Sequence, residues 1–150
     1  MSSEPRVLIL ESNDALRALL FTILRHQPLS VDTAITTEEA LQKTSVCDYA
    51  LVVVDMDMED EAGQRFVRGL REQRPEATTF ILAVRDPNND AFLDPGLVSA
   101  VLNKPLEIDT LAEAVRETAQ VVPPPEDPLR CPPSDSEIRT RLERGSFLAN

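Results

Sequence analysis

Five short apolar runs, each followed by a stretch of helix length with its apolar residues on one side, constrain this chain more than any other feature. The runs are Val7 to Leu10, Ser30 to Ala34, Ala50 to Asp55, Thr79 to Val84 and Val98 to Leu102. Ala50 to Asp55 is the most apolar and suits a central strand buried on both faces, whereas Ser30 to Ala34 alternates like a short strand. Between the runs the period changes. Leu16, Leu19, Leu20, Ile23 and Leu24 share a helical face after the polar segment ESND, and Pro28 forbids continuation. Thr36 and Glu39 have capping-box spacing ahead of Ala40 and Leu41. Gly63 to Arg74 groups Phe66, Val67 and Leu70, while Ile108, Leu111, Ala112 and Val115 form a last amphipathic helix. Pro87 and Pro95 leave room for about two helical turns, so a short helix is expected between them. Strand followed by helix, five times over, requires right-handed crossovers that place helices on both faces of a parallel sheet. The expected fold is α/β, a doubly wound five-stranded parallel sheet.

Six of the 12 prolines lie between Pro123 and Pro133, where fixed φ angles and missing amide donors favour extended backbone. The chain therefore divides into a domain over 1–120, a proline-rich linker over 121–133, and a tail over 134–150. In the tail, Ser134 and Glu137 have capping-box spacing, Ile138 and Leu142 stand four apart, and Gly145 is a plausible stop. A short helix follows, or the opening of a longer region. Alone it has too few turns to be stable in water, so it must dock to persist.

With 26 acids against 15 Lys and Arg, the net charge of -11 repels a polyanion, so direct nucleic-acid binding is not expected. No apolar run approaches the roughly 20 residues that span a bilayer, and the N-terminus lacks a signal-peptide pattern. Cys47 and Cys131 stand far apart without a CxxC, and His26 is the only histidine. Zinc and disulfide frameworks thus lack material, which points to a reducing cytoplasm, with Cys47 a packing residue and Cys131 an incidental linker thiol. His26 suits a helix C-terminus.

A doubly wound sheet places its site in the loops beyond the strand C-termini. Those loops hold Glu11 and Ser12, the acidic stretch Asp55 to Glu61, Ala83 to Asp86, and Asn103, Lys104 and Pro105. Acids and one lysine converge. A nucleotide- or flavin-binding enzyme of the same architecture is disfavoured, because four glycines supply neither GxGxxG nor a P-loop.

LVVVDMDM followed by Gly63, the pair Lys104-Pro105, the first run VLILES, and EEALQ in the second helix occur in an order that resembles the receiver domain of two-component response regulators. The resemblance covers residues 6 to about 118. It implies a flavodoxin-like receiver fold with strand order 2-1-3-4-5 and a cis bond before Pro105. It also implies a signalling module, not an enzyme, that takes a phosphoryl group on Asp55 from a histidine kinase or phosphotransfer protein. Asp55, Glu11 and the backbone carbonyl of Asp57 would hold Mg²⁺, and Lys104 would contact the phosphoryl oxygens. The physics requires such residues: a carboxylate attacking a phosphoryl donor brings like charges together.

Three positions depart from the family. Ser12 stands for the second acid of the usual pair, Ala83 for a Thr or Ser hydroxyl, and Val101 for a Tyr or Phe. A weak metal site and an impaired switch are expected. The alternative is a phosphorylation-independent pseudo-receiver that binds a downstream protein partner.

Overall fold

The computed structural model describes residues 4–125 and 129–148. Residues 126–128 of the proline-rich linker and the two last residues of the tail lie outside them. Strands β1 (Arg6–Leu10), β2 (Ser30–Ala34), β3 (Leu51–Asp55), β4 (Phe80–Arg85) and β5 (Ala100–Asn103) form one sheet. They alternate with helices α1 (Asp14–Leu24), α2 (Thr37–Val46), α3 (Ala62–Gln73) and α4 (Ile108–Val121), and α5 (Asp135–Leu148) closes the chain. The strand order is β2-β1-β3-β4-β5 and every neighbouring pair is parallel, as the resemblance implies.

Alternation along the strands builds two cores. Leu8, Leu10, Val52, Val54 and Ile81 face α2 and α3 through Ala40, Phe66, Val67 and Leu70. Val7, Ile9, Val31, Leu51, Val53 and Leu82 face the other way, onto Leu20 and Leu24 of α1 and Leu111 and Val115 of α4. Sequence caps start the helices where expected. Asn13 accepts from the Leu16 amide, and Thr36 accepts from the Glu39 amide while Glu39 accepts in turn from Ile35.

Four expectations are corrected. No helix forms between Pro87 and Pro95, because short polar side chains capture the backbone locally. Asp86 accepts from Asn88, Asn89 from Ala91, and Asp94 from Gly96, each at 2.8–3.2 Å. Such Asx turns compete with helix. β5 runs Ala100–Asn103 instead of Val98 to Leu102, since Val98 closes a turn onto the Asp94 carbonyl. Gly145 does not stop the tail helix, which continues to Leu148. Finally, Cys47 and Cys131 form a disulfide across 84 residues of sequence. Cys47 does pack in the core, 1% exposed, but Cys131 is no incidental thiol: the fold returns the linker to the end of α2, an approach that spacing does not reveal.

The tail docks. β2 is an edge strand, and its outward amides at Val31 and Thr33 donate to Ser136 Oγ (2.8 Å) and Asp135 Oδ2 (3.0 Å) at the start of α5. Asp32, 2% exposed, accepts from Arg6 Nε at 2.7 Å and from the Tyr49 hydroxyl at 2.5 Å, and its other oxygen accepts from the Asp135 amide at 2.8 Å. The otherwise open edge is thereby satisfied.

Candidate functional site

Leu10 of β1 is paired with Val54 of β3, so Glu11 emerges level with Asp55 at the C-terminal edge of the sheet. Both side chains continue the face of Val7, Ile9, Leu51 and Val53, and both are buried, 3% and 6% exposed. β5 delivers Lys104 to the same edge, its amide donating to the Arg85 carbonyl at 2.8 Å. The following Lys104-Pro105 bond is cis. Gly63 lets α3 begin hard against the end of β3: a Cβ there would lie 2.7 Å from the Asp55 carbonyl oxygen.

Lys104 Nζ lies 3.1 Å from Asp55 Oδ1 and 3.0 Å from Asp57 Oδ2. The Asp57 amide donates to Asp55 Oδ1 at 2.8 Å. The Asp57 carboxylate also accepts from the Asp86 amide and from Asn89 Nδ2, both at 2.7 Å. Sequence reasoning assigned only the backbone carbonyl of Asp57 and missed its side chain. Spacing carried no clear signal, because Met56 and Asp57 lie in the turn beyond β3, where strand alternation no longer sets the direction of a side chain. Asn89, from the loop that lacks a helix, was invisible to local pattern.

Electrostatics follow from crowding. Burial and the adjacent Asp55 carboxylate push the Glu11 carboxyl up to about 7, against the Asn13 amide and the Lys104 charge. Burial acts to lower Lys104, but hydrogen bonds and charge from Asp57 and Asp55 outweigh it and leave the ammonium above its ordinary value. Burial acts to raise Asp57, yet Asn89, Lys104 and the Asp86 amide together hold it below the usual carboxylate range.

Ser12 is exposed and places no carboxylate at the site. Asp14 begins α1 and pairs with Arg17 at 2.6 Å, its side chain 90% exposed. Among the described residues no group of three His, Cys, Asp or Glu side chains is arranged to hold a metal. Glu11, Asp55 and the Asp57 carbonyl are nevertheless hard oxygen donors, and two crowded buried carboxylates call for a cation, so the donor chemistry fits Mg²⁺ with one anion fewer than usual.

The hydroxyl position also needs correction. Ala83 pairs with Val54 and Val101, one register step short of Asp55, and is fully buried in the core facing α3. The side chain that stands beside Asp55 on the same face of the sheet is that of its register partner Val84, which is buried and lines the same recess as Glu11 and Asp55. Val84 has no hydroxyl either, and Arg85, one residue on and facing the other side, donates to the Ala91 carbonyl at 2.9 Å. Val101 lies on the edge strand β5, 40% exposed.

The profile of the family described as response regulator receiver domain matches residues 7–116. The transcriptional regulatory protein BasR of Escherichia coli is 29% identical over 113 residues, which cover 74% of this chain and 50% of that protein. The transcriptional regulatory protein TcrA of Mycobacterium tuberculosis is 29% identical over 141 residues, 89% of this chain and 55% of that protein. The chain thus spans about half the length of the curated relatives it matches. A CheY-like receiver domain from Methylobacillus flagellatus superposes with a TM-score of 0.67 at 26% identity, covering 77% of this chain and 99% of that one.

Proposed function

This chain belongs to the response regulator receiver domain family of two-component signalling, and from that premise we propose that Asp55 is its phosphoacceptor. The observation that carries the reading is the buried Asp55 carboxylate with Lys104 Nζ 3.1 Å away and Glu11 beside it at the sheet's C-terminal edge. In the step proposed, an Asp55 carboxylate oxygen attacks the phosphorus of a phosphohistidine on a kinase or phosphotransfer protein. An O–P bond forms, the P–N bond breaks, and the imidazole leaves with the electron pair. Lys104 turns from the carboxylates to the phosphoryl oxygens and compensates their charge. Receiver domains generally bind Mg²⁺ at this site, and when bound it would neutralise charge between acceptor and donor. Glu11, Asp55 and the Asp57 carbonyl would hold it.

Ser12 leaves the metal one anionic ligand short, so binding is weak in this reading, and Ser12→Asp should tighten it in a Mg²⁺ titration. Unchanged affinity would show that another group already fills the role. The module is a signalling element and not an enzyme, acts in the cytoplasm, and passes its state to a downstream protein without touching nucleic acid itself. A small phosphodonor with Mg²⁺, followed by intact mass, tests the acceptor: a stoichiometric adduct that Asp55→Asn abolishes is expected. No adduct, or one that survives the substitution, would sink it. A phosphorylation-independent pseudo-receiver is the second reading, favoured by the missing acid at Ser12 and by a Lys104 already shared between Asp55 and Asp57.

A further inference from the structure

We propose that Cys47–Cys131 is a thiol–disulfide exchange site whose substrate is a dithiol, and that its state decides whether the tail stays on the outer edge of β2. The two sulfurs differ in access. Cys47 is 1% exposed beyond α2, whereas Cys131 lies in an exposed stretch of linker. A thiolate therefore reaches Cys131 Sγ. A mixed disulfide forms there and Cys47 leaves as thiolate, to be protonated. The second thiol of the reductant then resolves the mixed disulfide. Two electrons and two protons pass to the protein, both cysteines become thiols, and the reductant becomes a cyclic disulfide. A small disulfide reverses the reaction by the same path. In compartments kept reducing, disulfides are transient and serve as sensors, which suits a bond with one accessible sulfur.

What the bond restrains is visible in the docking. Cys131 immediately precedes Pro132, whose carbonyl accepts from Arg6 Nη1 at 2.7 Å, and Ser136 and Asp135 then take the Val31 and Thr33 amides. The remaining anchors of α5 include Lys43 with Asp135 at 3.2 Å and Arg25 with Glu143 at 2.5 Å. Ion pairs of this exposure hold a helix weakly once its tether is cut, and a helix of 14 residues does not persist alone. The covalent link closes a long loop and supplies the missing restraint. Opening it frees two outward amides on an edge strand, a surface able to pair with another chain.

The test is amide hydrogen exchange on the full chain, oxidised and after treatment with dithiothreitol without denaturant, with thiols counted in parallel. Val31, Thr33 and the α5 amides should exchange on the order of tenfold faster after reduction, while β3 and β4 amides keep their protection and report an intact domain. Cys131→Ser, at an exposed position, should reproduce the reduced pattern without reductant. Two free thiols in the protein under air oxidation would overturn the proposal, as would a bond that resists dithiol until unfolding. Unchanged tail protection after complete reduction would overturn it too, leaving a plain structural staple.

Discussion

Lys104 is one cation between two carboxylates, 3.1 Å from Asp55 and 3.0 Å from Asp57, and removing it leaves both acids facing each other. Lys104→Ala should slow phosphoryl transfer roughly a hundredfold, the scale of losing one charge-compensating donor. Equal initial rates of adduct formation before and after the change would take Lys104 out of the mechanism. Glu11 gives a pH signature in Mg²⁺-free buffer. Its folded-state value, raised from 4.5 to about 7, means that the folded chain holds a proton the unfolded chain releases. That contribution to stability is fully present below about 4.5 and is lost as pH rises through about 7. Denaturant midpoints should therefore fall across this window, and Glu11→Gln should flatten that slope. A slope unchanged in the variant would assign it to another group.

At the scale of elements, the loop from Asp86 to Ser99 replaces a helix and is fastened to the site through Asp57. The Asp57 carboxylate takes the Asp86 amide and Asn89 Nδ2, both at 2.7 Å, and Asn89 also reaches the Met56 carbonyl at 3.4 Å. At the loop's tip Phe92 is 81% exposed, while beyond it Leu93 and Leu97 pack against the core and Arg85 holds the Ala91 carbonyl. Asn89→Ala should raise exchange over residues 86–91, leave α3 unaffected, and cost roughly 1–2 kcal/mol, since it removes three partly exposed hydrogen bonds, one of them to a carboxylate. Protection unchanged over that segment would show that the Asp86 turn, the Arg85 hydrogen bond and the packing of Leu93 hold the loop without Asn89.

For the molecule as a whole, the question is how far a change at Asp55 travels. Val84 and Val101 carry neither a hydroxyl nor an aromatic ring at the positions facing the site and the β5 edge. A phosphoryl group there therefore makes few contacts that differ between two states, and a ligand shifts an equilibrium only by its differential affinity. Beryllofluoride, which stands in for the phosphoryl group, should change exchange only locally around Asp55, Asp57 and Lys104. Once its binding at Asp55 is verified, strong new protection across residues 85–105 would refute this and indicate an ordinary switch. The opposite edge of the sheet is closed by the tail, so the two edges differ: β5 presents Val101, while β2 is covered by α5.

The sequence by itself determined the parallel sheet, the two cores and the residues at the strand ends. Each is set by local chemistry: β-branched runs, helical period, caps such as Asn13 and Thr36, and the fixed ends that crossovers impose. Glu11, Asp55 and Lys104 were legible because they follow directly from where strands stop. Whatever depends on residues far apart in the chain waited for tertiary structure. The register of β4 moved the hydroxyl position from Ala83 to Val84, because strand pairing, not run length, sets which residue stands beside Asp55. The Asp57 side chain entered the site because Lys104 and Asn89 arrive there from other loops. Cys131 meets Cys47 where the linker returns across the end of α2 on its way to the docking of α5 on β2, contacts between residues about a hundred apart in the chain.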